Sequence, residues 1–159
     1  MHYEPNPNVY RSMFSLVYAS HASFNFSETQ LSDLVVLASA KNRDLAITGF
    51  LQYKERRFFQ YLEGDKDTVL ALKDTICSDS RHTVLRVVDL PDIESRRFED
   101  WHMRHATYSR FAAADLINLL ENTLLGMGNL TLRDEYVNKR ATRLVNLLAE
   151  HHRKFPEFS

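Results

Sequence analysis

The feature that most constrains the fold is the run of residues 57–64, Arg-Phe-Phe-Gln-Tyr-Leu-Glu-Gly. Aromatic residues concentrated over a few positions and closed by a glycine predict a β-strand. Because side chains alternate between the two faces of a strand, Gln60 is predicted to lie between Phe58 and Leu62 on one face. An amide in an apolar row needs hydrogen-bond partners, since leaving it unpaired costs roughly 1–3 kcal/mol. We therefore expect a polar partner beside Gln60, although a solvent-facing glutamine or one bonded to neighbouring backbone would fit equally well.

The rest of the sequence predicts the order strand, helix, strand, strand, helix, strand, strand, followed by two further helices. The predicted strands cover residues 13–20, 47–53, 57–64, 84–90 and 98–105, with Pro91 ending the fourth. The first predicted helix begins at Ser27 in a capping box and ends near Asn42, and the second begins at 64–65. The last two cover 111–125 and about 131 to Pro156.

This order predicts an α+β fold. We expect a ferredoxin-like βαββαββ sandwich with a five-stranded mixed sheet, two helices on one face and a C-terminal helical hairpin. The handedness of the crossover connections makes the first and third strands neighbours at the sheet centre, and we predict that they are parallel. The chain is accordingly divided into a flexible extension at 1–12, a core domain at 13–106 and a two-helix extension at 107–159.

The composition argues against several functional classes. With 20 basic and 21 acidic residues the net charge is -1, and no block of Lys or Arg occurs, so direct nucleic-acid binding is not expected. Cys77 is the single cysteine, which excludes an internal disulfide and a multi-cysteine metal site and fits a reducing compartment. No apolar run approaches the length of a membrane span, and the N-terminal residues carry no apolar signal core, so a cytoplasmic protein without a membrane partner is expected.

Other sequence signals for metals and catalysis are weak. His102 and His105 point to opposite faces of a strand, and His151 and His152 are adjacent, so neither pair is a good metal site. The sequence lacks a Ser-His-Asp spacing of the kind that would indicate a hydrolase. It also lacks the glycine-rich fingerprint of a Rossmann-type dinucleotide site.

The predicted topology brings three polar side chains together. Tyr18 lies on the first strand, Gln60 on its neighbour, and Asn42 at the end of the helix that covers them. Donors and acceptors beneath apolar walls suit a planar heteroaromatic ligand, although a structural polar network would look the same. The walls are predicted to come from Ile47, Phe58 and Leu62.

Several short motifs occur in one order along the chain. They are residues 16–20 (Leu-Val-Tyr-Ala-Ser), Asn42, residues 47–49 (Ile-Thr-Gly), residues 58–64 (Phe-Phe-Gln-Tyr-Leu-Glu-Gly), Arg81 with His82, and residues 96–103 (Arg-Arg-Phe-Glu-Asp-Trp-His-Met). From 14 to about 105 the chain resembles the BLUF family, the blue-light sensors that use FAD. The helices behind this segment resemble the short members of the family that carry no separate enzyme domain.

The resemblance implies a role for individual residues. Tyr18 matches the family's photoactive tyrosine, Gln60 the glutamine that bridges it to the flavin, and Asn42 an asparagine that binds the edge of the ring. Trp101 and Met103 match the signal-relay residues of the fifth strand, where we expect both on the same face. The remaining implied FAD contacts are apolar ones from Ile47 and Leu62, and polar ones nearer the phosphates from Arg81 and His82.

The sequence departs from the family pattern near the FAD tail. Lys41 precedes Asn42 where many relatives carry a neutral polar residue or a histidine, and Thr75 stands where a phosphate-binding arginine can occur. These departures leave the ring site intact. They make the cations that hold the tail uncertain, with Lys41, Lys73 and His82 as candidates.

The chemistry of these residue types fits the implied role. A phenol with an ordinary pKa of about 10 is neutral in the dark and can give up an electron and a proton together, while a glutamine can exchange hydrogen-bond patterns without adding charge. We therefore predict a short blue-light photoreceptor that binds FAD noncovalently, performs no net catalysis and signals through the fifth strand to the C-terminal helices. Its output is expected by contact, in a homo-oligomer or with a separate downstream partner. The alternatives are a small hydrolase or flavin oxidoreductase, and a light-insensitive interaction module of the same fold.

Overall fold

The computed structural model describes residues 13–105, 111–126 and 133–154. The predicted extension at 1–12 and the predicted start of the last helix lie outside the described residues. The elements in chain order are β1 (Met13–Ala22), α1 (Glu28–Asp44), β2 (Thr48–Lys54), β3 (Arg57–Gly64), α2 (Lys66–Cys77), β4 (His82–Ile93), β5 (His102–His105), α3 (Phe111–Leu124) and α4 (Asp134–Lys154). This order confirms the predicted alternation of strands and helices.

The five strands form one mixed sheet in the order β4-β1-β3-β2-β5. β1 pairs antiparallel with both β3 and β4, β2 pairs antiparallel with β3, and β5 adds in parallel to β2. The first and third strands are central neighbours as predicted, but the prediction that they are parallel is wrong. The hairpin makes β3 run opposite to β2, and the crossover through α1 makes β1 parallel to β2, so β1 and β3 are antiparallel.

Local sequence sets the starts of the two crossover helices. Ser27 and Gln30 form the predicted capping box of α1: the Ser27 Oγ accepts from the Gln30 amide at 3.1 Å, and the Gln30 Oε1 accepts from the Ser27 amide at 2.9 Å. Asp65 caps α2 by accepting a hydrogen bond from the Thr68 amide. Both helices share one apolar cluster with side chains from a single face of the sheet.

The opposite face of the sheet is covered by α3 and α4. Phe59 and Tyr61 of β3 belong to this second cluster, whereas Phe58 and Leu62 belong to the cluster under α1 and α2, as strand alternation requires. The buried apolar residues that α4 adds recur at helical spacing and are Val137, Ala141, Leu144, Val145, Leu148 and Ala149. The sheet is therefore enclosed between two pairs of helices.

Two strand boundaries differ from the predictions. β4 continues through Pro91 to Ile93, because it is an edge strand and its register with β1 shifts near this proline. Proline is tolerated at such an edge or bulge, where its missing N–H is not needed by the ladder. β5 begins at His102 instead of residue 98, because the preceding residues turn and the Trp101 amide donates to the Phe98 carbonyl at 3.1 Å.

A fully buried carboxylate anchors the connection between β4 and β5. Glu63 accepts four hydrogen bonds: Oε1 from the Thr48 hydroxyl at 2.9 Å and the Phe98 amide at 2.8 Å, Oε2 from the Tyr61 hydroxyl at 2.7 Å and the Arg97 amide at 2.9 Å. Two of the four donors are backbone groups just ahead of β5. The carboxylate therefore fixes where the chain enters the last strand.

Candidate functional site

A cavity of about 230 Å³ lies between α1 and α2, above β1 and β3. This volume approaches the lower end of the range for ligand pockets, roughly 300–1,000 Å³. The lining combines apolar and polar side chains: Tyr18, Phe26, Leu34, Leu37, Ala38, Lys41, Asn42, Leu51, Phe58, Gln60, Leu72, Thr75, Ile76, Asp79, Arg81 and His82. The apolar stripe of α1 faces the cavity instead of packing fully on the sheet, and Asn42 is the buried residue of this helix.

Tyr18 and Gln60 meet at the floor of the cavity. They are directly paired across β1 and β3, and each is 5% exposed. The Tyr18 hydroxyl donates to Gln60 Oε1, and Gln60 Nε2 donates to the Met103 sulfur at 2.8 Å. The polar partner expected beside Gln60 is thus present, and both ends of the amide are engaged.

The environment of Tyr18 favours its neutral form. Burial raises the pKa of the Tyr18 phenol well above its usual value of 10, and the nearby Cys77 and Asp79 raise it further. The hydroxyl therefore keeps its proton and acts as the donor in its bond to Gln60. Its ring also makes an edge contact with the His82 imidazole, at 6.0 Å between centroids.

Asn42 places an unpaired donor in the cavity wall. The residue is 2% exposed, and its Nδ2 has no hydrogen-bond acceptor among the residues that the structure describes. Its backbone carbonyl accepts from the Ile47 amide at 2.8 Å, which fixes the end of α1 over β2. Buried amide groups are normally paired, so an orphaned N–H here suits a ligand with an acceptor at its ring edge.

The rim of the cavity carries the charged and titratable groups. Arg81 forms an ion pair with Asp79 at 2.6 Å and lowers the pKa of that carboxyl to about 2. The His82 ring lies 2.7 Å from both the Ser20 hydroxyl and the Ile76 carbonyl. Since a carbonyl only accepts, Nε2 carries a proton, and in the neutral ring Nδ1 accepts from Ser20. Arg81 and His82 both have protein partners.

The other residues predicted to bind FAD are placed differently. Lys41 lines the cavity and is exposed, whereas Lys73 is not among the lining residues. Ile47 and Leu62 are fully buried in the core and are not among the residues that line the cavity, so their contact with FAD stays a prediction. Ile47 directly precedes β2, and its side chain would lie 3.4 Å from a Cβ added at Gly64, the last residue of β3.

Leu51 is a lining residue that the sequence reasoning missed. It lies on β2 directly opposite Gln60, so the hairpin register would have identified it. Phe26, at the entrance to α1, was also missed. It precedes the predicted helix and lies outside any periodic stretch, so no pattern indicated its position.

The prediction that Trp101 and Met103 share a face is wrong. Met103 is buried in the cluster beneath α1 and α2, whereas Trp101 is buried in the cluster beneath α3 and α4. The cause is an irregularity in the pairing of β5, in which His102 pairs with Gly49 and Arg104 with the following residue of β2. Met103 is skipped and has a φ of 87°, as expected for the extra residue of a bulge. The bulge breaks the two-residue alternation on which the prediction rested.

None of the helices in the described ranges has both the length and the apolar character that crossing a bilayer requires. Within the same ranges, no three His, Cys, Asp or Glu side chains are grouped so that they could hold a metal ion.

The fold and this site define a class of flavin-binding light sensors. The sequence model of the BLUF family, described as sensors of blue-light using FAD, matches residues 13–104. The chain belongs to the BLUF family, and FAD is the cofactor by which that family is defined.

Curated relatives share the sensor segment within longer proteins. Photoactivated adenylate cyclase subunit beta of Euglena longa is 34% identical over 102 residues, which are 64% of this chain and 12% of the relative. The blue light- and temperature-regulated antirepressor BluF of Escherichia coli K12 is 32% identical over 68 residues, 43% of this chain and 17% of the relative. This chain therefore matches only a small part of each relative's length.

Solved structures match over more of the chain. The photo-activated state of BlsA superposes with a TM-score of 0.62 at 26% identity, covering 86% of this chain and 94% of that one. The dark state of the BLUF protein BlrB gives a TM-score of 0.59 at 24% identity and covers 86% and 98%, which supports the fold. These matches include the ferredoxin-like sheet and extend beyond the 92 residues spanned by the family match.

The residues of the cavity fit a flavin. The orphaned Asn42 Nδ2 offers a donor to a ring edge that carries carbonyl oxygens, and apolar side chains supply walls for a flat ring. Gln60 lies at the floor, where its amide could contact the same ring. The fit therefore depends on donors and walls that this chain already contains.

Proposed function

We propose that this chain is a blue-light photoreceptor whose switch is the hydrogen-bonded pair Tyr18 and Gln60. The observation that carries the proposal is the buried chain of contacts from the Tyr18 phenol through the Gln60 amide to the Met103 sulfur. Bound FAD would supply a ring that absorbs blue light and an acceptor for an electron. Tyr18 would serve as the neutral donor, because its raised pKa keeps the proton on the phenol.

The Gln60 amide can change partners without a change of charge. Rotating it by half a turn would place Nε2 toward the Tyr18 oxygen, which can accept, and Oε1 toward the Met103 sulfur. A thioether cannot donate a hydrogen bond, so the present 2.8 Å contact would become one between two acceptors. Met103 would then have to move. Because Met103 lies on β5, the switch is transmitted to that strand.

The proposed cofactor contacts follow the lining of the cavity. Asn42 would donate to the ring, and Lys41, Arg81 and His82 at or near the rim would contact the ribityl and phosphate groups. Arg81 would share its charge between Asp79 and the ligand, since the ion pair with Asp79 lies at the rim. Ile47 and Leu62 would support the site from beneath, through the core.

The proposed output is a change in protein contact, with no net catalysis. Residues 13–106 would form the sensor and 107–159 the output segment, because α3 and α4 pack on the sheet face opposite the cavity. Leu119, Tyr136 and Leu147 are exposed on these two helices and are candidates for contact with a second copy or a downstream partner. A cytoplasmic location is part of this proposal.

The test is the absorption spectrum of the FAD-loaded protein before and after blue light. We expect a reversible shift to longer wavelength in the wild type and no such shift in Tyr18→Phe or Gln60→Ala. Tyr53→Phe and Gln52→Ala are matched controls, because Tyr53 does not line the cavity and Gln52 contacts Asn118 on the other sheet face. Both controls should keep the shift.

Other outcomes would favour the alternatives. Bleaching with steady consumption of NAD(P)H would indicate a flavin oxidoreductase. A protein that stays colourless after FAD is supplied would indicate a light-insensitive module. A full shift in Gln60→Ala would show that the amide is not the switch.

A further inference from the structure

The adjacent histidines near the end of α4 are not explained by the switch itself. His152 is 6% exposed and turns toward the sheet, where its Nε2 lies 3.0 Å from Asp100 Oδ1. Its ring packs on the Trp101 indole with 4.3 Å between centroids, and Phe98 lies 5.7 Å away. This cluster, His152 with Asp100 and Trp101, is called the α4 docking cluster below. It joins the last turn of α4 to the chain that enters β5.

Trp101 of the docking cluster lies two residues before Met103, the residue that contacts the switch amide of Gln60. The Trp101 carbonyl accepts from the Gly49 amide at 2.7 Å, which ties the start of β5 to β2. Met103 follows on the opposite face and accepts from the Gln60 amide. One intervening residue therefore separates a side chain that contacts the switch from one that contacts α4.

The backbone between these two side chains is strained. Met103 has a φ of 87°, in the left-handed region that residues with a Cβ rarely adopt. The pairing of β5 with β2 also shifts at this residue. A displacement of the Met103 side chain can therefore relax the bulge and turn the peptide units next to Trp101.

We propose that His152 is a positioning residue that docks the last turn of α4 on Trp101, and that this docking is released when the switch displaces Met103. The proposal deepens the proposed function and rests on it. In the dark, the indole is packed against the imidazole of His152 and the ring of Phe98. After light, the turned backbone moves the indole and weakens its contact with α4.

The other attachments of α4 lie farther from the switch. Its first turns are held on β4, by Asp134 with Arg86 and by the Asn138 amide with the Asp89 carbonyl. Its middle is held by Asn146, which accepts from Arg97 at 2.9 Å. The sheet order places β1 between β4 and β3, so β4 does not pair with the strand of Gln60, and the attachments to β4 are expected to persist. Light should therefore loosen the last turn of α4 and leave the earlier turns in place.

The bond to Asp100 is a minor part of the docking. The Asp100 side chain is 63% exposed, so water competes for its oxygen, and the packed rings supply most of the contact. A phenylalanine at position 152 keeps the ring and loses the hydrogen bond, whereas an alanine loses both. The two substitutions separate these contributions and provide a fallback if the alanine variant folds poorly.

The experiment is hydrogen exchange of the α4 amides in FAD-loaded full-length protein, in the dark and under blue light, with the flavin spectrum recorded on the same samples. In the wild type, light should raise exchange at residues 149–154 by roughly fivefold to tenfold and change residues 137–145 little. In His152→Ala, exchange at 149–154 should already be fast in the dark and gain nothing from light. His152→Phe should retain most of the light-dependent difference.

The spectrum separates failure of the coupling from failure of the photoreceptor. His152→Ala should still show the shift to longer wavelength, because His152 does not line the cavity. Arg153→Ala, an exposed neighbour, should behave as the wild type in both measurements. A normal shift without a light-dependent change at 149–154 would overturn the coupling alone. A wild type without any shift would overturn the proposed function and the coupling together.

Discussion

Glu63 is the residue whose replacement most directly tests how β5 is held. Its carboxylate is fully buried and accepts four hydrogen bonds, two on each oxygen. In Glu63→Gln the side chain keeps its shape, but one oxygen becomes an NH₂ group that cannot accept. The Tyr61 or Thr48 hydroxyl can turn to accept from it, whereas the backbone amide of Arg97 or Phe98 on that side loses its acceptor.

The expected loss can be worked from these contacts. An orphaned buried N–H costs about 1–3 kcal/mol, and hydrogen bonds to a charged group contribute about 1.5–3 kcal/mol each. Allowing for partial relaxation, Glu63→Gln should lower the free energy of unfolding by about 3 kcal/mol. For a chain of this size that corresponds to a fall in Tm of roughly 6–12 °C.

The assay is urea and thermal unfolding with FAD at a fixed excess, because a bound ligand shifts apparent stability. Glu121→Gln is the matched control, since Glu121 is also a buried carboxylate but its described bond is to Arg57, at 2.7 Å, and a glutamine can still accept it. In the control, the free energy of unfolding should fall by about 1 kcal/mol or less. A loss below about 1 kcal/mol in Glu63→Gln would refute the reasoning that the carboxylate anchors the entry to β5.

Three further predictions follow from the same geometry. Met103→Leu removes the acceptor of the Gln60 amide but nearly conserves side-chain volume, so the free energy of unfolding should change by less than ~1.5 kcal/mol. The light-induced spectral shift of this variant should recover in the dark at a different rate from that of the wild type. Gly49→Ala should lower the Tm strongly, because Gly49 has a φ of 155° and the added Cβ would lie 1.9 Å from a β3 carbonyl oxygen. In Gly64→Ala the added Cβ would lie 3.2 Å from its nearest atom, so the Tm should fall much less. The folded-state pKa of Asp79 is depressed to about 2, so its pairing with Arg81 stabilises the protein above its ordinary pKa near 4 and is lost as pH falls from about 4 to 2. Asp79→Asn should flatten that part of a stability-against-pH curve, by less than ~1 kcal/mol since the pair is partly exposed.

Strand alternation accounts for what the sequence predicted well at the site. It placed Gln60 on the face of Phe58 and Leu62, and the paired strands brought Tyr18 beside it. The capping box at Ser27 likewise fixed the start of α1, because it depends on two residues close in sequence. Regular local geometry is what such patterns report.

The predictions failed where the geometry is irregular. The bulge at Met103 separates it from Trp101, and no local pattern marks one extra residue on a short strand. Pro91 signals an end to a strand only if that strand is central, and the edge position of β4 is set by tertiary pairing. The anchoring role of Glu63 was missed because its four donors come from three separate segments.

The enclosure of the sheet between two helix pairs divides the molecule into two halves that can change independently. Substitutions on α3 and α4 can alter the exposed surface of these helices without touching the cavity, and in the proposed mechanism the two halves communicate through β5. One sensor can therefore be joined to many different effectors. The curated relatives fit this arrangement, because the segment they share with this chain is a minor fraction of proteins named for unrelated activities.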